Sequence, residues 1–471
     1  MITFTVCLVL LIVGYFVYGT YIDRLFGPTS RKTPALTNPD GVDYIPLPTW
    51  KIFMIQFLNI AGLGPIFGAI LGAKFGTSSY IWIVLGCIFA GSVHDYIAGM
   101  ISLRENGASL PEIIGKYLGN NVKQFMRGFM VLLMILIGAV FVAGPAGLLA
   151  KLTPDNLDAA FWIIVVFVYY VLATLLPIDK IIGRIYPLFA IALIFMAAAL
   201  LVMLYVKFPP LPELWDGLQN THPQADKLPI FPILFVSIAC GAISGFHATQ
   251  SPLMARCMTS EFHGRPIFYG AMITEGIVAL IWAAVATYFF HENGMGESNP
   301  AIVVDTMTKE WLGTVGSVLA VLGVIAAPIT SGDTALRSAR LIVADFMNYK
   351  QDKIVKRLII SIPMFLACIG ILIYSMKDAD GFDMIWRNFA WANQTLSVFT
   401  LWTITIYLAT VKKNYFITLF PALFMTAVCA TYIVIDPNGL ACSKSFSYAF
   451  GLVCTVIALL LFIRWIYYQK K

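Results

Sequence analysis

One motif recurs along this chain from beginning to end: a run of about twenty apolar residues followed by a short polar connection. A bilayer's hydrocarbon core, about 30 Å thick, is crossed by roughly 20 helical residues rising 1.5 Å each, so each run predicts a membrane-spanning helix. Thirteen such runs fall near residues 2–20, 53–71, 80–103, 129–149, 159–178, 186–206, 230–250, 266–290, 312–334, 354–376, 382–409, 415–435 and 446–466. No stretch remains for a sizeable soluble domain. The expected fold is an all-α, polytopic membrane protein.

Composition agrees. Hydrophobic residues make up 59% of the 471 and charged residues only 12%, where a soluble domain carries about one quarter. With thirteen spans, 23 of the 31 Lys and Arg residues fall on one face of the membrane. Lys and Arg are retained on the cytoplasmic side, which predicts an outer N-terminus and an inner C-terminus in the cell (inner) membrane. Lys353 and Lys412 should then be cytoplasmic, and Asn220 and Lys444 external. The net charge of +6 is accordingly topological, and the partners expected are the lipid bilayer and a small-molecule substrate, not nucleic acid. The first run lacks a basic n-region and a cleavage pattern, so it reads as a retained helix. Eight cysteines show no paired spacing and suggest neither a disulfide framework nor a zinc site.

Two runs are interrupted near mid-membrane. The second reads FLNIAGLGPIFGAILG from Phe57, with Gly62, Gly64 and Pro65; the seventh reads FVSIACGAISGFHATQSP from Phe235, with Gly241 and Gly245. The two are locally alike, run in opposite directions and lie five spans apart. That pattern predicts an inverted repeat of five spans plus five, each opening with a discontinuous helix. Its divisions are an extra N-terminal helix and loop (1–49), repeats at 50–206 and 207–410, and two C-terminal helices (411–471). Backbone groups freed at the bilayer centre are tolerable where they line a cavity or meet a ligand. Gly62, Gly64, Gly241, Ser244 and Gly245 therefore mark a substrate site, with Asn59, Ser237, His247 and Gln394 as polar help. The rival reading is close helix packing, because Gly64, Gly68 and Gly72 repeat as G-x-x-x-G, as do Gly241 and Gly245. Positive half-helix N-termini would suit a carboxylate. Gly72, further from the break, should accept alanine.

The segments IAGLGPIFGAILGAKFG (60–76), WIVLGCIFAGSVHDYIAGMISLRENGASLPEIIG (82–115), IACGAISGFHATQSP (238–252), APITSGDTALRSARLI (327–342) and WANQTLS (391–397) together resemble the carbon starvation protein A family, through about residue 410. The resemblance implies a LeuT-like fold of the amino acid-polyamine-organocation superfamily, and import of peptides or pyruvate under nutrient limitation. It also nominates Thr330, Ser331 and Thr334 as hydroxyl ligands of a sodium ion beside the first broken helix. Longer members carry a histidine just before IAGxGP, where this chain has Leu58 and Asn59; it resembles a short form.

Ionisable groups inside spans cost several kcal/mol unless paired or hydrated, and so mark relays or buried hydrogen bonds. Asp95, flanked at four-residue spacing by Gly91 and Gly99, and Glu275 are the candidates for ion coupling; His94 should point away from Asp95. Asp333 stands four residues before Arg337, the spacing of a helix ion pair. Trp391, Asn393 and Gln394 bring polar groups into the eleventh run. Ser109 and Glu112 have capping-box spacing ahead of a short surface helix. Neither H-E-x-x-H nor G-x-S-x-G nor a Walker A motif occurs, so an enzyme and an ATP-driven pump are not expected. The reading is a secondary active transporter importing a small carboxylate-bearing nutrient, coupled to H⁺ or Na⁺ and needing no cofactor. A nutrient sensor or a passive channel on the same fold is the alternative.

Overall fold

The structure, a computed structural model, describes the chain apart from residues 42, 155, 176–177, 297–298, 352, 378–380, 438 and 470–471. Lys470 and Lys471 of the charge tally thus lie outside the described residues. Helices follow one another throughout: α1 (Ile2–Phe26), α2 (Thr49–Ile60), α3 (Gly64–Ala73), α4 (Ser78–Arg104), α5 (Leu110–Leu118), α6 (Asn120–Leu152), α7 (Ala159–Leu175) and α8 (Ile178–Lys207). Then come α9 (residues 230–237), α10 (Gly245–Ala255), α11 (Glu261–Asn293), α12 (Pro300–Phe346), α13 (Ile354–Lys377), α14 (Gly381–Thr410), α15 (Phe416–Ile435) and α16 (Lys444–Gln469).

Among the described residues nine helices are long and apolar enough to cross a bilayer, or ten if α2 and α3 form one bent span. The three other expected spans coincide with α7, which is short, with the broken pair α9 and α10, and with α14. In α14 the apolar run is diluted by Asp383, Arg387, Asn388, Asn393 and Gln394. Gly313 adopts a left-handed φ of +65° and separates the start of α12 from its apolar part, Gly316–Phe346. Only glycine takes that conformation without steric cost.

Loops expected on the same face do meet. Glu261 receives Arg31 at 3.0 Å and Arg104 at 3.1 Å, and Lys413 donates to the carbonyls of Leu25 and Phe26, so four connections converge at one end. At the other end Thr221 donates to Lys74 O, and Arg387 lies 3.5 Å from Asp436. The surface helix α5 forms as expected, but Ser109 makes no side-chain cap bond. Glu112 turns instead to Lys123 and Arg127. Burial works against its charge, yet those two cations outweigh it and hold the carboxyl below its ordinary range.

Packing sorts the helices into neighbours. The broken pairs α2/α3 and α9/α10 pack with α4 and α11, while α6 lies along α12, with α8 and α14 against them. At 1.5 Å per residue the 33 residues of α6 reach about 50 Å, well beyond the hydrocarbon core.

Candidate functional site

Both interruptions expected from the sequence are present. Between α2 and α3 the axis bends by 54°, with Ala61 at φ −80° and ψ 51° taken out of helix. Between α9 and α10, Ile238 (φ −91°, ψ 68°) and Ser244 (φ −146°, ψ 125°) bound a non-helical stretch. The breaks are packed on each other. A Cβ on Gly64 would lie 2.3 Å from Cys240 Sγ, and one on Gly68 2.8 Å from the carbonyl of Ser237.

The glycines therefore work first as close-approach positions, as the packing alternative anticipates. A Cβ on Gly62 would meet the Phe141 ring at 2.8 Å, one on Gly241 the Ala279 methyl at 2.5 Å, and one on Gly245 the α14 backbone at Ser397 N, 2.4 Å away. Gly72 is no exception: its Cβ would meet Ile238 Cγ1 at 2.2 Å, so the expectation that it accepts alanine is corrected. The Ser237 hydroxyl donates back to Ile233 O within α9.

Polar side chains are concentrated around the breaks. Asn393, from α14, accepts from Phe246 N at 2.7 Å through Oδ1 and donates to Ser244 Oγ at 2.9 Å through Nδ2, capping the start of α10. Gln394 donates to Ile243 O at 2.9 Å. Among the described residues, Asn59 and Gln56, both fully buried on α2, have no hydrogen-bond partner for either side-chain polar atom. Each buried unsatisfied group costs about 1–3 kcal/mol, a cost that a bound ligand would remove.

Asp95, from α4, joins two of the expected residues in one buried network. Its Oδ2 lies 2.8 Å from His247 Nδ1 on α10, and its Oδ1 lies 2.7 Å from His94 Nδ1. His94 thus does not point away; the two consecutive side chains are in contact. His247 Nε2 lies 3.5 Å from Glu275 Oε2 on α11, with Nε2 and both Glu275 oxygens otherwise unpartnered. Asp95, His247 and Glu275 are 0% exposed.

The three hydroxyls nominated for sodium separate. Ser331 reaches the first break, donating to Leu58 O at 3.1 Å and Asn59 O at 2.9 Å. Thr330 and Thr334 bond carbonyls of their own helix, Ala327 O at 2.8 Å and Ser331 O at 3.0 Å. Asp333 takes its hydrogen bonds from Tyr169, at 3.1 Å, and Tyr186, while Arg337 donates to Ala173 O. The expected Asp333–Arg337 pairing gives way because the aromatic hydroxyls of α7 and α8 are closer to hand. Sequence reasoning overlooked Cys240 and Gln56 and offered Asn393 as part of a substrate wall, whereas it bonds Phe246 N and Ser244 Oγ at the start of α10. The only signal for Cys240 is its position inside the IACGAISG interruption.

A model of the family described as Carbon starvation protein CstA matches residues 1–156, 149–315 and 294–432. An uncharacterized membrane protein of Haemophilus influenzae is 46% identical over 341 residues, covering 62% of this chain and 91% of that protein. The peptide transporter CstA of Campylobacter jejuni is 30% identical over 332 residues, covering 57% of this chain and 47% of its own length. The pyruvate/proton symporter BtsT of Escherichia coli is 28% identical over 340 residues, covering 59% and 47%. The chain spans under half the length of these two transporters. Among solved structures, a manganese transporter of Eremococcus coleocola superposes with a TM-score of 0.62 at 11% identity, covering 91% of this chain and 98% of that one. MhsT with L-phenylalanine superposes at 0.55 and 13%, covering 87% and 97%. At these identities the likeness establishes the fold alone, and that fold is LeuT-like.

Proposed function

Because the chain belongs to the carbon starvation protein CstA family, a family of membrane transporters and not of enzymes, we propose that it is a secondary transporter importing a small carboxylate-bearing nutrient by ion-coupled alternating access. One observation carries the reading: two discontinuous helices meet break to break around buried polar groups that have no partner among the described residues. Irregular backbone at membrane depth persists where it serves a ligand, and half-helix termini supply partial charges for one.

The relatives' names, peptide transporter and pyruvate/proton symporter, share a carboxylate among their cargoes. In this chain the unpartnered amides of Gln56 and Asn59 would bind the cargo's polar end, with Phe141 closing over Gly62. Asp95 and Glu275, linked through His247, are the groups on which a coupling cation would act. Ser331 would report sodium if that ion were used, because it alone of the nominated hydroxyls touches the first break. Uptake of labelled pyruvate, dipeptides and amino acids into proteoliposomes, under a proton or a sodium gradient, tests the reading. Accumulation against a gradient of one of these cargoes is expected; equal, gradient-independent equilibration of all of them would make it a channel.

A further inference from the structure

Beside the breaks, three side chains of different chemistry aim at one point. Cys240 Sγ, a ring nitrogen of His247 and a carboxylate oxygen of Glu275 lie within 4.8 Å of one another, His247 Nε2 stands 3.5 Å from Glu275 Oε2, and all three residues are buried. They come from three separate stretches of chain: the interruption itself, the first turn of α10 and the middle of α11. Each has capacity left over. Among the described residues, both Glu275 oxygens and His247 Nε2 lack hydrogen-bond partners, and Cys240 Sγ contacts Ser244 Oγ at 3.5 Å and Asn393 Nδ2 at 3.6 Å.

Asp95 prepares the imidazole. With Asp95 ionised, its 2.8 Å contact draws the proton of His247 to Nδ1, which leaves the Nε2 lone pair facing Glu275. A carboxylate behind a histidine, fixing the tautomer and ring orientation so that the far nitrogen can bind a cation, is the standard outer shell of a metal ligand. One thiolate, one imidazole and one carboxylate are three protein ligands of the kind that hold zinc and its neighbours, with a fourth position open. Oxygen-seeking ions such as Mg²⁺ and Ca²⁺ have no use for a thiol in this set.

We propose that Cys240, His247 and Glu275 form a binding site for a divalent transition-metal ion of the zinc class, with Asp95 as the positioning residue behind His247. Binding releases the thiol proton to solution, and that of Glu275 where it carries one. The ion would tie the non-helical stretch after α9 to α11, and Cys240, which packs against Gly64, would carry that restraint to the first break. This assignment is independent of the cargo and revises the expectation that the cysteines serve no metal.

Co²⁺ is the probe, because a thiolate ligand gives it a charge-transfer band that other donors do not. Full-length protein, purified in detergent and freed of metal with a chelator, is titrated with Co²⁺ and then with Zn²⁺. The expected result is one equivalent of cobalt with a sulfur-to-cobalt band, displaced by zinc, and a thermal midpoint that rises with metal concentration. Cys240→Ser should lose the band while Cys87→Ser, which alters another buried thiol, on α4, keeps it. Asp95→Asn should keep the band but weaken affinity about 10–100-fold. A band unchanged in Cys240→Ser overturns the assignment. Wild-type protein whose midpoint does not respond to metal overturns it too, however the variants fold. Uptake is measured in chelator and again with Zn²⁺ restored: accumulation without cobalt binding sinks the metal site alone, and cobalt binding with no accumulation under either condition sinks the transport reading alone.

Discussion

Cys240 Sγ occupies the place that a side chain on Gly64 would need, 2.3 Å from where its Cβ would stand. The break in one helix is thereby shaped around the break in the other, and the pair can be tested as a pair. Gly64→Ala should destabilise by about 1–3 kcal/mol through overpacking. Adding Cys240→Gly removes both offending atoms and should restore part of the loss, with a coupling of roughly 0.5–3 kcal/mol in a double-mutant cycle. Gly147→Ala, whose Cβ meets nothing within 4 Å, is the neutral control. Thermal unfolding of the four proteins of the cycle and of the control measures this; strictly additive effects would separate the breaks.

Gly64→Val goes further and should abolish substrate protection. A ligand binding only the folded state stabilises it by RT ln(1 + [L]/Kd), so wild type should show a midpoint that climbs with cargo concentration and the variant a flat response. A folded Gly64→Val protein protected as well as wild type would put the cargo elsewhere.

Asp95→Asn and Glu275→Gln should each lose uphill uptake yet keep exchange of labelled for unlabelled cargo, since exchange needs no net cycle of the coupling cation. Counterflow and gradient-driven uptake, measured on the same vesicles, decide the matter. Full accumulation by both variants would make the network purely structural.

Ser331→Ala strips a donor from the carbonyls of Leu58 and Asn59, both buried at the first break, and should cost about 1–3 kcal/mol. Thr330→Val and Thr334→Val remove bonds internal to α12 and should cost less than about 1.5 kcal/mol each. If sodium binds here, the wild-type midpoint rises with Na⁺ at constant ionic strength and that of Ser331→Ala does not; equal responses would free Ser331 from any sodium role.

Glu112 gives a pH signature. Its carboxyl is held below the ordinary value of about 4.3 by Lys123 and Arg127, so its contribution to stability is fully present above that value and is lost as pH falls towards the lowered folded one. The gap between wild type and Glu112→Gln should close in acid and shrink with salt, because the site is partly exposed. A gap that widens on acidification contradicts the pairing.

Membrane orientation follows from single cysteines at 220, 353, 412 and 444 on a background lacking reactive thiols. An impermeant reagent applied to intact cells should label the first and last only; labelling at 353 with none at 220 would invert the assignment.

The fold was legible because bilayer physics writes it in bulk: each span needs its own apolar run, and both interruptions carry Gly or Pro where a continuous ladder would fail. Asp95, His247 and Glu275 stood out one by one, since charge in an apolar run is costly. Their meeting did not, because α4, α10 and α11 are brought together by packing that no local spacing encodes. Cys240 was hidden by resembling its neighbours, a small residue in an apolar segment. The Asp333–Arg337 spacing was read as a pair because helix geometry permits it. Tyr169 and Tyr186, from helices distant in sequence, decided otherwise.

Asp95, Cys240, His247 and Glu275 all sit on α4, on α11 or on the broken helix between them, whereas Ser331 and Asn393, which moor the breaks to the rest of the protein, come from α12 and α14. A charge gained or lost in the first group meets the second at a side-chain contact of Cys240, whose Sγ lies 3.6 Å from Asn393 Nδ2. It must be passed on through residues 238–244, the stretch anchored by Asn393 at one side and pressed against Gly64 at the other. In the proposed transport cycle that stretch would act as a clutch, its shape engaging or disengaging the loading of an ion and the movement of the helices. Substitutions that stiffen it should leave ions binding normally to a transporter that no longer turns over.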